Sequence, residues 1–173
     1  MADVQGLCFE PDFRLLICKI HGTGVHPTKE AIQRHLRRDR HHCKGKLLKE
    51  AVDALTQLPL RSLQELRESH PLPAAQPIPA IPYLTVVPGW SCRACEGKEL
   101  TASAEVRNRH VSKVHHKRAS SHSKERPLWD DCELQTLFSM TGDVRYFRVV
   151  STSAVCSDEQ TRPDPVDPED HNN

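Results

Sequence analysis

Cys92 and Cys95 are separated by two residues and are followed by His110 and His115, separated by four, within CRACEGKELTASAEVRNRHVSKVHH. This quartet constrains the fold more than any other feature. Two thiolates on a tight turn and two imidazoles about one helical turn apart close a tetrahedral set, and Zn²⁺ is the ion that prefers mixed sulfur and nitrogen ligands. The fourteen residues between the pairs lie just beyond the gap of about twelve in the most familiar fingers. His116 competes with His115 for the fourth position.

A second set has the same span. Cys18 and His21 are followed by His35 and His41, and the distance from Cys18 to His41 is 23 positions, as it is from Cys92 to His115. Equal span and similar ligand order predict a tandem pair. Neutral imidazole at position 21 is able to bind Zn²⁺, although a knuckle is normally shaped around two short thiolate side chains. His26, His42 and Cys43 are alternative ligands, and the competing reading is a degenerate unit held by Ile32 and Leu36.

Composition supports metal over a large core. The 37% hydrophobic and 5% aromatic content is below the roughly 45–50% apolar content of an ordinary domain, and a small core usually needs a metal or disulfides. Seven cysteines, an odd number, beside eleven histidines favour metal binding over a disulfide framework. Cys8, Cys132 and Cys156 read as bystanders. The first residues carry Asp3, Glu10 and Asp12 without a basic start or a long apolar run, so no signal peptide is expected. No segment approaches the roughly 18 apolar residues of a membrane span, which predicts a soluble intracellular protein, nuclear or cytoplasmic.

Taken in order, residues 1–14 show little periodicity. Residues 10–45 read as the first finger-like unit: a strand over Arg14–Ile20, a turn at His21–Gly24, and a helix capped by Thr28 with Ile32 and Leu36 on one face. Residues 46–69 form an amphipathic helical segment with Leu47, Leu48, Ala51, Val52, Leu55 and Leu58 on one stripe, and a short second helix over Arg61–Glu68. Residues 70–82, with five prolines, read as an extended spacer. Residues 83–150 hold the second finger: a strand over Tyr83–Val87, a Pro88-Gly89 turn, the knuckle, and a helix capped by Thr101 or Ser103. Leu128, Trp129, Leu134, Leu137 and Phe138 then suggest an amphipathic helix, followed by a strand over Val144–Val150. Residues 151–173 are predicted to be a disordered acidic tail.

The net charge of +1 conceals an asymmetry. In that tail six acidic residues face Arg162 alone, giving −5 and leaving residues 1–150 at +6. Between Arg107 and Arg126 there are seven basic residues and one acid. Arg107, Arg109, Lys113, Lys117 and Arg118 on the second helix, with Arg34 and Arg37 on the first, are candidate nucleic-acid contacts, since such helices lie along phosphates and release counterions. The alternative is a solvated helix face. No phosphate-cradling glycine loop, nucleophile elbow or deaminase glutamate signature is present, so an enzyme is not expected.

The segments ICKIHGTGVHPTKEAIQRHLRRDRHH, PIPAIPYLTVVPGWSCRAC, the histidine pair, LQTLFS and RYFRVV, in this order, resemble the fungal family named for the orsellinic acid biosynthesis cluster protein D (OrsD), over about residues 10–150. The resemblance implies a two-finger protein associated with a polyketide gene cluster. It places ligands on Cys92, Cys95, His110 and His115, and on Cys18, His35 and His41. Family members usually carry a second cysteine where this chain has His21, and the His35–His41 pair is one residue wider than usual.

The resulting expectation is a small α+β protein with tandem ββα-like zinc-finger units, an intervening amphipathic helix, a proline-rich linker and a disordered acidic tail. Its expected function is non-enzymatic, in nucleic-acid binding or regulation. The alternative is a zinc-stabilised protein-interaction module of a biosynthetic complex.

Overall fold

The computed structural model describes residues 3–38, 40–68, 76–140 and 142–151. It is organised around the apolar run Leu15–Cys18, which forms β3 and is buried at all four positions. Successive side chains of a strand point to opposite faces, so such a run needs a core on each side. β3 has both.

β3 belongs to an antiparallel meander in which β1 (Asp3–Val4), β2 (Leu7–Glu10), β3 and β4 (Thr23–Val25) follow in spatial order. The β1–β2 connection is the two-residue loop Gln5-Gly6, both at positive φ (54° and 76°), a geometry whose twist matches that of the flanking strands. On one face, Leu16 and Cys18 pack with α1 (Lys29–Leu36) and α2 (Gly45–Thr56) through Ile32, Leu36, Leu48, Val52 and Leu55. On the other face, Leu15 and Ile17 meet Leu66 of α3 (Leu63–Glu68), together with Ile81, Leu84, Phe138 and Phe147.

The last two of these lie in or beside the second sheet, ordered β5 (Ile78–Pro79), β9 (Tyr146–Val150), β8 (Trp129–Thr136), β6 (Val87–Cys92) and β7 (Leu100–Thr101). Only β5 and β9 run parallel. α4 (Ala104–His115) packs on β6 and β7. The protein is therefore a small α+β fold of four helices and two sheets among the described residues. No helix among them is long and apolar enough to cross a membrane.

Backbone contacts lock the sheets together. The Gly24 N–H donates to the Leu137 carbonyl at 2.8 Å, and the Thr85 N–H to the Gly22 carbonyl at 2.9 Å. A Cβ at Gly24 would stand 2.4 Å from the Leu137 oxygen, so glycine is required by close approach. The side chain of Gln135, 1% exposed, accepts from the Ile81 N–H at 2.8 Å and donates to the carbonyls of Ile81 at 3.0 Å and Leu84 at 2.9 Å.

Several sequence expectations need correction. The helix expected around Leu128–Phe138 is the strand β8. Apolar residues at 128, 129, 134, 137 and 138 fit a helical spacing, but pairing with β6 on one side and β9 on the other satisfies the backbone as a strand, and tertiary context overrides local pattern. Tyr83–Val86 form no strand, with Tyr83 at φ +66°. The strand is β6, running through Pro88-Gly89 where a turn was expected. Pro88 is tolerated because β7 pairs only with Trp90 and Ser91. Gly89 is there for space, since a Cβ would come within 2.2 Å of Leu134 Cδ1.

The first strand is shorter than Arg14–Ile20, and the featureless first residues contain β1 and β2. Leu47 leaves the buried stripe of α2 and is 51% exposed. Part of the proline-rich stretch joins the second sheet as β5, and Ile81 enters a core. Residues 69–75 and the acidic tail from 152 onward lie outside the described residues. Other elements agree closely: Thr28 caps α1, its Oγ1 accepting from the Ala31 N–H at 3.2 Å, and Ser103 caps α4. α3 begins with a reciprocal cap in which Ser62 and Glu65 each bond the other's backbone N–H.

Removing the Gln135 amide would strand three buried backbone groups at a cost of about 1–3 kcal/mol each if all were left unpaired. Gln135→Leu is expected to destabilise the protein by about 2–4 kcal/mol in urea unfolding. A loss under about 1 kcal/mol would show that the clamp is dispensable.

Candidate metal centres

Both Cys/His quartets converge. In each, the four ligand atoms lie within 4.8 Å of one another. In the first, Cys18 ends β3, His21 occupies the turn to β4, His35 lies in the last turn of α1, and His41 follows that helix. Cys18 Sγ is 3.1 Å from His21 Nδ1 and 3.3 Å from His41 Nε2, which is 3.2 Å from His35 Nε2. In the second, Cys92 ends β6, Cys95 closes the 3₁₀ turn Arg93–Cys95, and His110 and His115 project from α4. Cys92 Sγ is 3.3 Å from His115 Nε2, Cys95 Sγ is 3.4 Å from His110 Nε2, and the two Nε2 atoms are 3.1 Å apart.

These separations test whether a metal fits. Bonds of about 2.0–2.1 Å to nitrogen and 2.3 Å to sulfur place neighbouring ligands of a tetrahedron about 3.3–3.8 Å apart. The observed distances lie at or slightly inside that range, and four lone pairs converging without a cation would repel. The donors fit a divalent ion in both clusters.

The knuckles are built differently. In the second, Glu96 at φ 52° and Gly97 at φ 80° fold the chain back beneath the cysteines. In the first, the turn closes through the Gly22 N–H to the Cys18 carbonyl at 2.8 Å, with Gly22 at φ 62°. His21 presents Nδ1, the ring nitrogen nearer the backbone. A short reach is what lets an imidazole stand where a thiolate is expected.

A backbone partner orients His41: its Nδ1 is 2.9 Å from the Gln5 carbonyl in the β1–β2 loop, so Nδ1 carries the proton and Nε2 faces the cluster. Burial pushes the Cys18 thiol up, and burial followed by contact with Cys92 pushes Cys95 up to about 11. Burial, followed by neighbouring His41, His21 and Arg38, lowers His35 to about 4. Burial likewise lowers His41. Neutral imidazoles are ready donors, and a bound cation is what would deprotonate the thiols.

The alternative ligands lie elsewhere. Cys43 is buried in the core with its Sγ 3.6 Å from the His41 carbonyl, and His42 Nε2 accepts from the Arg40 N–H at 3.4 Å. His26 packs edge-on against Phe138 and stands 3.3 Å from Asp143 Oδ2. His116 is the exposed left-handed cap of α4, so His115 is the member of the pair that meets the cluster. Cys8 is buried in the second core and Cys132 is half-buried on β8, while Cys156 lies outside the described residues.

Among the candidate nucleic-acid contacts, Arg34, Arg37, Arg109, Lys113, Lys117 and Arg118 are exposed. Arg107 is engaged inside the protein. Its guanidinium lies 4.2 Å from the Trp90 ring centroid and 4.0 Å from that of Trp129, whose other face stacks on His122 at 4.0 Å and 5°. The His122 ring accepts from the Leu128 N–H at 3.1 Å. This four-member stack pins α4 to β6 and β8 one turn before His110. The chain's only two tryptophans are the sequence signal for it, but the local pattern around Trp129 fits a helix, and only the pairing of β8 with β6 brings the two indoles to Arg107.

Arg107→Ala should lower thermal stability by an amount equivalent to about 1–2 kcal/mol, with a marked change in tryptophan emission, as a cation held between two rings is worth more than an exposed one. Arg107→Lys should recover only part of either effect, because a point charge does not stack. Unchanged emission in both variants would dismiss the stack.

The protein-family profile described as Orsellinic acid/F9775 biosynthesis cluster protein D matches residues 5–116. The match begins at the residue whose carbonyl orients His41 and ends just after His115, enclosing both clusters but not β8 or β9. Neither a curated protein nor a solved structure matches the chain. With more than half of its length matched, the chain belongs to the orsellinic acid biosynthesis cluster protein D family.

Proposed function

We propose that this secondary-metabolite cluster protein is a non-enzymatic zinc protein with two finger-like units, which binds nucleic acid through α4. Cys92, Cys95, His110 and His115 would hold one ion, and Cys18, His21, His35 and His41 another. The bound ion supplies folding free energy and fixes the hairpin against its helix. Four protein ligands in each set leave no open coordination position, which favours a structural over a catalytic role. The two sets differ in charge: two thiolates neutralise a divalent ion, whereas the single thiolate of Cys18 leaves the first set at +1.

The observation that carries the nucleic-acid reading is the way α4 is held. Its attachment runs along Arg107, His110, Val111 and His115, and Val111 is its only buried residue. The remaining circumference is open to solvent and offers Arg109 and Lys113, with Lys117 and Arg118 just beyond. Glu105, 3.9 Å from Arg109, is a weak, exposed counter-charge. By contrast, the apolar stripe of α2 that motivated a protein-interaction module is spent on the first core.

Metal analysis of the purified chain should find two zinc ions, and Cys92→Ala should retain one, that of the first cluster. Equal zinc in the variant and wild type would sink the assignment. Binding to a fluorescent oligonucleotide should weaken linearly with the logarithm of salt, and Lys113→Gln should reduce that slope by about 0.7–0.9. No binding at low salt by the zinc-replete chain would exclude the nucleic-acid reading.

A further inference from the structure

A cavity of about 50 Å³ lies between α1 and the Ser139–Met140 segment, lined by Thr23, His26, Arg34, Arg38, Ser139 and Met140. Water needs roughly 10–15 Å³ on the same measure, so the space is ample for a small polyatomic ion. Among the described residues its lining includes no carboxylate.

Arg34, in the last turn of α1, and Arg38, just beyond its C-cap Arg37, both line the cavity. Among the described residues neither makes an ion pair with a carboxylate. Asp143 stands beside His26, one of the lining residues. Its other carboxylate oxygen is taken by both Nε and Nη2 of Arg67, so its charge is already answered. Opposite the arginines, the hydroxyls of Thr23 and Ser139 stand 3.2 Å apart. The cradle for these groups is rigid: Gly24 is bonded to Leu137, two residues before Ser139.

We infer that this cavity is a phosphate-binding site, in which the fork-shaped donors of Arg34 and Arg38 take the oxygens of one phosphoryl group and the hydroxyls of Thr23 and Ser139 complete its shell. Two arginines lining a cavity with no carboxylate among its described lining match a tetrahedral oxyanion in charge, and their forked donors suit its oxygens. His35 lines the same cavity and belongs to the first metal cluster. The +1 of that cluster, which rests on the zinc reading, adds to the positive potential, but the arginines carry the inference without it. The site is separate from α4, so its occupancy does not depend on nucleic acid binding there.

The test is a titration of the full ¹⁵N-labelled chain with inorganic phosphate, chloride holding the ionic strength constant. Saturable shifts of the Gly24 and Ser139 amides are expected, with affinity about tenfold weaker in Arg34→Gln and in Arg38→Gln and unchanged in Lys49→Gln on α2. Both arginines are exposed, so the variants should keep the wild-type spectrum elsewhere; Ser139→Ala, expected to bind a few-fold more weakly, is a second probe that leaves the charges intact. Shifts that do not saturate, or that are the same in the arginine variants, overturn the site. A short single-stranded oligonucleotide that moves the same amides and is displaced by phosphate identifies a nucleic-acid backbone as the source of the phosphate. An oligonucleotide that leaves them unmoved while inorganic phosphate binds identifies a small free phosphate instead. Oligonucleotide binding lost only with Lys113→Gln reports on α4 and leaves this titration unaffected.

Discussion

β3 contributes four consecutive buried residues, and their alternation lets one strand serve two cores. Leu16 and Cys18 complete the layer beneath α1 and α2, while Leu15 and Ile17 complete the layer shared with α3 and the second sheet. A short chain with modest apolar content buries more surface this way than two isolated small units could. Cys18 is also the sole thiol of the first cluster, so the candidate metal centre begins at the end of the most buried strand. A one-residue slip of β3 would exchange its two faces and remove that thiol from the cluster.

The clusters repeat a spacing but not a construction. At the second, a left-handed turn and two thiols sit at the end of β6, and the helix that supplies both histidines is fixed mainly by them and by the Trp90–Arg107–Trp129–His122 stack. At the first, α1 is fixed by the core, His21 substitutes through its nearer nitrogen, and His41 is oriented by a carbonyl from the β1–β2 loop. The helix of the second centre is open around most of its circumference, whereas that of the first packs its apolar face on a core. That contrast explains why the basic residues of α4 project into solvent, while Arg34 and Arg38 edge a cavity.

The segment after α4 gives the second unit its rigidity. β8 brings Trp129 against Arg107 and Gln135 against the Ile81–Leu84 backbone, so two distant parts of the chain are held by one strand. The family match stops before it. The buried amide of Gln135 replaces hydrogen bonds that no neighbouring strand supplies, which is why a polar residue is found at 1% exposure.

Much was legible in the residues alone. Ligand identity and spacing are local properties, and so are the caps at Thr28 and Ser103, the periodicity of α2, and the strand at β9; each follows from side-chain chemistry within a few positions. Tertiary structure decided what depends on partners far along the chain. β8 became a strand because β6 and β9 flank it, Pro88-Gly89 continued a strand because β7 is too short to need the missing donor, and Arg107 turned inward because two indoles met around it. Local pattern specifies which groups are available; only long-range pairing determines which of them are consumed by the fold and which remain free for a ligand.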